Sequence, residues 1–173
     1  KIGSKIYGNT SIGEFCKVGG EIDSSIIHAY SSKQHDGFLG HSYISEWVNL
    51  GADCNTSNLK NTYGLVSVPL NGSMVNTGQM FLGMLCGDHS KAGINTMFTT
   101  GTVTGIFANI FGGGFFSQNI DSFSWGGHSD SPIYQFDKAV SVAEIVMQRR
   151  NYTPTLQEKE LWKTVFGQFG NFS

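Results

Sequence analysis

The sequence has little proline, little cysteine and few charged residues. Three of its 173 residues are proline, three are cysteine, and 14% are charged. A disordered chain is rich in proline and charge, so this composition argues for an ordered chain. The cysteines, Cys16, Cys54 and Cys86, are odd in number and lack C-x-x-C or zinc-finger spacing. We therefore expect neither a disulfide framework nor a structural zinc site, and we expect a reducing, cytoplasmic setting.

Strong charge and long apolar runs are also missing. The net charge is −2, and no Lys/Arg run is longer than Arg149-Arg150. This balance gives no basis for a nucleic-acid or anionic-membrane partner. No apolar run approaches the roughly 18 to 20 residues of a spanning helix, and no signal-peptide pattern opens the chain. Lys1 already lies inside a repeat, so we interpret the sequence as the C-terminal piece of a longer protein.

Glycine is frequent, at 23 residues, and uncharged residues recur every six positions. After a two-residue slip at Gly19-Gly20 the frame resumes and continues to Ile110. Its members are Ile6, Ile12, Val18, Ile26, Ser32, Phe38, Ile44, Leu50, Thr56, Thr62, Val68, Met74, Met80, Cys86, Ala92, Phe98, Thr104 and Ile110. A six-residue step fits neither a helix nor a flat strand, but it fits a coil with three flat faces. Residues 2 to 116 would form about six coils of about 18 residues in a parallel β-helix.

Two alternatives to a continuous repeat remain open. In the first, residues 58–64 and 69–72 form an excursion loop and a turn, and the agreement with the six-residue frame through 57–79 is partly coincidental. An antiparallel β-sandwich with accidental spacing is the alternative fold, although alternating strands with hairpin signals are scarce.

The last part of the chain changes character. We predict a β-helix over 1–116, an irregular closing segment over 117–136 and two capping helices over 137–173. The first helix is indicated by an apolar stripe that begins at Ala139. The second is indicated by a cap at Thr155 or Thr153, with Glu158 three residues after Thr155 as in a capping box and Gly167 at the helix end. The expected class is therefore all-β with a helical appendage.

Motifs for several kinds of chemistry are absent from the sequence. It contains no G-x-S-x-G elbow, no P-loop and no G-x-G-x-x-G in a strand-to-helix context. Of five histidines only His35 and His41 are close, and a six-residue spacing places them on different faces, so no metal site is predicted. General base catalysis by a single histidine is the main option, with His35 as a candidate, although a lone histidine is more often structural than catalytic.

Residues 35–58, H-D-G-F-L-G-H-S-Y-I-S-E-W-V-N-L-G-A-D-C-N-T-S-N, resemble the acetyltransferase segment of a known family. The family is that of bifunctional glucosamine-1-phosphate acetyltransferase/N-acetylglucosamine-1-phosphate uridylyltransferases. The resemblance implies that His35 is the general base and that Asn58 orients the acyl group and sugar. Phe38 stands where the family has a tyrosine that touches the sugar. Lys60 replaces, at another offset, a lysine that pairs with the sugar phosphate.

The same resemblance implies a left-handed β-helix that forms a homotrimer and lies C-terminal to a nucleotidyltransferase domain. Acetyl-CoA would lie in a groove between neighbouring coils, where we place Thr99, Thr100 and Gly101, with Lys91 as a phosphate contact. Residues 87–96 and the terminal helices resemble a bacterial sugar-nucleotidyltransferase-like branch.

The expected activity is acyl transfer from acyl-CoA to the amine of an amino-sugar phosphate. One alternative is a non-catalytic module that trimerises a nucleotidyltransferase; the phenylalanine at position 38, in place of the family's tyrosine, favours it. The other is a zinc hydratase, which would carry stoichiometric zinc.

Overall fold

The computed structural model of the protein describes residues 1–169, which wind as a parallel β-solenoid with two helices along one side. Most strands are two residues long, because each repeat turns onto the next face after a short extended stretch. The strands are β1 (Lys5–Ile6), β2 (Ser11–Ile12), β3 (Lys17–Val18), β4 (Glu21–Asp23), β5 (Ile26–Ile27), β6 (Ser32–Lys33), β7 (Phe38–Gly40), β8 (Tyr43–Ile44), β9 (Asn49–Leu50), β10 (Asn55–Thr56), β11 (Ser67–Leu70), β12 (Ser73–Asn76), β13 (Leu85–Cys86), β14 (Lys91–Ala92), β15 (Met97–Phe98), β16 (Val103–Thr104), β17 (Asn109–Ile110), β18 (Asn119–Ile120) and β19 (Trp125–Gly126).

Three faces make up the solenoid. The first carries β1, β4 and β7, followed by the pair β10 and β15. The second carries β2, β5, β8, β13, β16 and β18, and the third carries β3, β6, β9, β14, β17 and β19. Neighbouring strands on each face are parallel and hydrogen-bonded from coil to coil. The predicted parallel β-helix is confirmed.

The interior is a narrow column of buried side chains from successive coils. It includes Ile22, Ile27, Leu39, Ile44, Leu50, Cys86, Ala92, Phe98, Ile110 and Ile120. The predicted frame is wrong by one residue over the second coil and the start of the third. Ile27, Lys33 and Leu39 are buried there, whereas Ile26 is 46% exposed. The register pairs Lys5 with Glu21 and Glu21 with Phe38, so these coils are 16 and 17 residues long. A one-residue slip exchanges inward and outward side chains, which explains the error in the frame.

The fourth coil contains the excursion. Asn55 on β10 pairs with Met97 on β15, so the chain leaves the solenoid and returns before that coil closes. Within the excursion, β11 and β12 form an antiparallel hairpin that turns at Asn71 and Gly72, both at positive φ. Of the frame members there, Met74 is 60% exposed whereas Val68 is 2% exposed, so the agreement with the six-residue frame in this segment is partly coincidental.

One corner of the solenoid carries a column of stacked rings, which we call the aromatic ladder. Its members are Phe15, Tyr30, Trp47, His89, Phe107 and Phe123, and each has a φ between 56° and 62°. Tyr30 and Trp47 stack with centroids 4.1 Å apart, His89 and Phe107 at 4.6 Å, and Phe107 and Phe123 at 5.0 Å. Stacking along the corner offsets part of the cost of the left-handed backbone, which is uncommon for residues other than glycine.

Helices α1 (Phe136–Gln148) and α2 (Leu156–Phe169) pack on this ladder. Trp162 lies edge-on to His89 and to Phe107, with centroids 4.9 Å and 5.2 Å away. The predicted capping box is confirmed: the Thr155 amide donates to Glu158 Oε2 at 2.7 Å, and the Glu158 amide donates to Thr155 Oγ1 at 3.2 Å. The helix runs past Gly167, where it was expected to end, since it still has regular hydrogen bonding at Phe169.

The segment 117–136 is not irregular throughout. It contains β18 and β19, which extend two faces of the solenoid, and the chain reaches α1 only after them. Neither helix in residues 1–169 has the length and apolar character needed to cross a membrane.

Candidate functional site

His35 lies in the turn between β6 and β7, in the exposed run Gln34–Asp36. Its strand neighbours fix the position of this turn, because Ser32 pairs with Asn49 and Phe38 pairs with Glu21 on adjacent coils. The imidazole is therefore held outside the solenoid, where a substrate can reach it.

The turn is fastened from inside by Lys33, a residue that sequence reasoning did not single out. Its side chain points into the column, is only 2% exposed, and donates from Nζ to the carbonyl oxygens of His35 at 2.6 Å and Asp36 at 2.9 Å. Burial lowers the pKa of Lys33 from its ordinary value, and the nearby Cys54 and Asp36 oppose this shift. Gly37 completes the turn at φ +112°, and a Cβ there would meet the Cys54 carbonyl oxygen at 2.2 Å. The backbone that carries His35 is thus held by buried hydrogen bonds and close packing.

Phe38 and Asn58 converge over the backbone of Gly40. A Cβ on Gly40 would lie 2.4 Å from the Phe38 ring and 2.5 Å from Asn58 Nδ2. The same amide nitrogen lies 2.9 Å from Nδ1 of His41, whose ring stacks on Phe81. His41 thus joins this group, although sequence reasoning considered it only as a metal ligand. The signal was available, since His41 and Asn58 are separated by one coil length.

Lys60, Thr99 and Thr100 line one open cleft of about 630 Å³, which we call the threonine cleft. Met74 and Phe115 give the cleft apolar walls. Lys60 Nζ donates to the Leu65 carbonyl at 2.8 Å, so this lysine is tied to the excursion loop.

Thr100 and Gly101 form the inner side of this region. The Thr100 hydroxyl is 2.7 Å from that of Ser57. Gly101 is buried at φ +73°, where a Cβ would meet Val66 at 2.7 Å. A larger residue at this position would displace the base of the excursion.

Lys91 does not lie with these residues, contrary to the expected grouping. It is on β14 in the third face, and it lines a separate cleft of about 450 Å³ with Lys17, Arg149 and Arg150. We call this the basic cleft. Thr99 follows β15 on the first face, because each six-residue step carries the chain to another side of the solenoid. Within residues 1–169, no group of three or more His, Cys, Asp or Glu side chains is placed to hold a metal ion.

Comparison with known proteins gives one informative match. Over 100 residues the chain is 31% identical to a bifunctional sugar-1-phosphate nucleotidylyltransferase/acetyltransferase of Sulfurisphaera tokodaii. The match covers 58% of this chain and 25% of the relative, so the chain spans about a quarter of that protein's length. No family model matches the chain. The sequence match and the β-solenoid confirm the resemblance to bifunctional sugar-phosphate nucleotidylyltransferase/acetyltransferases, and both are consistent with a C-terminal hexapeptide-repeat domain.

Proposed function

We propose that this chain transfers an acyl group from acyl-CoA, most simply acetyl-CoA, to the amine of an amino-sugar phosphate such as glucosamine-1-phosphate. The observation that carries the proposal is the exposed imidazole of His35 on a turn fastened by the buried Lys33 ammonium. A rigid mount matters, because a general base must stay within hydrogen-bond reach of the proton it removes. The match to an acetyltransferase-bearing relative supports the same reaction class.

The reaction needs one base and one site for the developing oxyanion. The amine nitrogen attacks the thioester carbonyl carbon, and His35 accepts the proton that the nitrogen loses. Backbone N–H groups of the coil stabilise the oxyanion. When the C–S bond breaks, the sulfur leaves with a proton as the CoA thiol, and the new amide remains on the sugar. No redox partner or metal ion takes part in this balance.

Asn58 and Phe38 are proposed to contact the acceptor sugar, beside the turn of His35. Phe38 has no hydroxyl group, so it offers the sugar a ring face instead of a hydrogen bond. The threonine cleft, with Thr99, Thr100 and its apolar walls, is proposed to hold the pantetheine arm of acyl-CoA. Lys60 contributes to the same cleft through its stem, while its ammonium holds the loop.

The assembly is part of the proposal. We infer a left-handed coil and a homotrimer, in which the groove for acyl-CoA is completed by a neighbouring subunit, and an N-terminal nucleotidyltransferase part. The unpaired states of Cys16, Cys54 and Cys86 support a reducing, cytoplasmic setting. Solution scattering of the purified protein tests the trimer.

The test is release of CoA thiol from acetyl-CoA with glucosamine-1-phosphate as the acceptor. His35→Ala is expected to lower kcat by about 10²- to 10⁴-fold, the usual contribution of a general base. His128→Ala, at an exposed histidine distant in sequence, is the matched control and should retain the wild-type rate. Full activity in His35→Ala would overturn the assignment of the base. Absence of wild-type turnover with any amino-sugar phosphate would favour the trimerisation module.

A further inference from the structure

The basic cleft has a composition that the proposed acyl transfer does not explain. Four cationic side chains, Lys17, Lys91, Arg149 and Arg150, line it between the third face and the end of α1. None of its lining residues in the described part of the chain is acidic. An anion that enters this cleft meets four cationic side chains and no carboxylate of the lining, so the cleft attracts negative charge.

Its floor is a column of side chains from four adjacent strands. The register pairs Lys17 with Ser32, Ser32 with Asn49, and Asn49 with Lys91. Strands lie about 4.8 Å apart, so hydrogen-bonding groups follow one another over roughly 14 Å with an ammonium at each end. Side chains arranged in this way can donate hydrogen bonds to several oxygen atoms along one elongated ligand.

Lys91 is the innermost of these cations. Its Nζ donates to the His89 carbonyl oxygen at 3.0 Å, and no carboxylate of residues 1–169 forms an ion pair with it. Burial lowers its pKa to about 8, which records the cost of enclosing the ammonium without a counter-ion. A bound anion would remove that cost.

The two arginines form the rim. Arg149 is the C-cap of α1, and the negative end of a helix dipole favours cations at this position. That local effect explains two arginines at a helix end, but it does not explain Lys17 and Lys91 on the solenoid wall opposite them. Arg150 Nη1 makes only a long contact of 3.4 Å to the Phe15 carbonyl oxygen, so both guanidinium groups remain available to a ligand.

We propose that the basic cleft binds a phosphoryl group of one of the two substrates. This inference rests on the proposed function. The cleft reaches the proposed catalytic turn, because Gln34, which directly precedes His35, also lines it. The phosphoryl group belongs either to the amino-sugar phosphate or to the 3′-phospho-ADP part of CoA. Both sources share the same chemistry, a dianionic phosphate matched by bidentate guanidinium and ammonium donors.

Binding is measured by calorimetry with three separate probes: glucosamine-1-phosphate, glucosamine, and adenosine 3′,5′-bisphosphate. Arg149→Gln and Lys91→Met are each expected to lower the affinity for the phosphorylated ligand about 10- to 100-fold. This is the effect of losing one hydrogen bond to a charged group. Lys138→Gln removes the same charge from an exposed position on α1 and is the matched control. If the variants bind glucosamine-1-phosphate more weakly, the cleft belongs to the acceptor sugar. If they bind the bisphosphate more weakly, it belongs to CoA.

Protonation gives a readout that a purely structural role would not change. At pH 8, where Lys91 is partly neutral, binding of the anion should take up a fraction of a proton, seen as a buffer-dependent heat. The uptake should vanish in Lys91→Met and persist in Lys138→Gln. The proposal is overturned if neither phosphorylated probe binds the wild-type protein, or if both bind and neither cleft variant weakens them. Because binding is measured without turnover, an inactive protein that still binds a probe refutes the proposed function alone.

Discussion

The aromatic ladder contains one ionisable ring, and its burial predicts a specific sensitivity to acid. His89 is 3% exposed, lies between Trp47 and Phe107, and has a buried Nδ1 without a hydrogen-bond partner. Burial lowers its pKa from 6.5 to about 3, with a smaller contribution from the Lys91 charge. The folded state therefore binds fewer protons than the unfolded state between these two pH values, and stability falls as the pH falls below 6.5.

The size of the effect follows from the shift in pKa. One pKa unit corresponds to about 1.4 kcal/mol, so the complete shift is worth about 5 kcal/mol at pH values well below 3. Between pH 7 and pH 5 the loss from this one ring is about 2 kcal/mol. Other groups titrate over the same range, so the loss has to be measured as a difference between proteins.

His89→Phe continues the ladder with a ring that cannot be protonated. The free energy of urea unfolding should fall between pH 7 and pH 5 by about 2 kcal/mol less in this variant than in the wild type. At pH 7 the variant should be at least as stable, because the unpaired nitrogen is removed. His128→Phe, at an exposed ring, is the control and should keep the wild-type pH dependence. Equal losses in His89→Phe and the wild type would refute the burial of a neutral imidazole.

Three further predictions concern the site and the helices. Lys33→Met leaves the His35 carbonyl oxygen without its donor, so the free energy of unfolding should fall by about 1–3 kcal/mol and kcat should also fall. Lys163→Met, at an exposed position, should change neither. Trp162→Ala removes the ring that contacts His89 and Phe107, so the free energy of unfolding in urea should fall by about 3–5 kcal/mol. Leu161 is 61% exposed on the same helix, and Leu161→Ala should stay within about 1 kcal/mol of the wild type. Gly37→Ala should lower both the melting temperature and kcat, because its Cβ would meet the Cys54 carbonyl at a positive φ; a wild-type melting temperature would show that the turn can relax.

The six-residue repeat was sufficient to predict the solenoid, because its period matches the step from one face to the next in a three-faced coil. It could not fix the coil length, which is shortened in the first and second coils by turns that the sequence does not mark. The six-residue frame placed Ser32 inward, whereas the buried side chain is that of Lys33, which donates to the His35 and Asp36 carbonyls. Those contacts depend on the path of the turn and cannot be inferred from residue type.

The aromatic ladder had a sequence signal that was not used. Each ring follows an inward residue of the second face by three positions, as Phe15 follows Ile12 and Phe123 follows Ile120. The pattern was hidden because the excursion interrupts it and because a positive φ is not expected at an aromatic residue.

The candidate site was predictable only in part. The resemblance over residues 35–58 named His35 and brought Phe38 and Asn58 together, because that segment spans a little more than one coil. Lys91 was grouped with Thr99 and Thr100 at the acyl-CoA groove that the family resemblance implies. Six residues along a three-faced solenoid change the face, so sequence proximity is a poor guide to spatial proximity here.

The central claim is that His35 acts as the base for an amine attacking a thioester, and a structure of the protein with acetyl-CoA and glucosamine-1-phosphate tests it most directly. We expect the sugar amine within about 3 Å of an imidazole nitrogen of His35 and in line with the thioester carbon. Both substrates bound in order, with the amine facing a group other than His35, would contradict the claim.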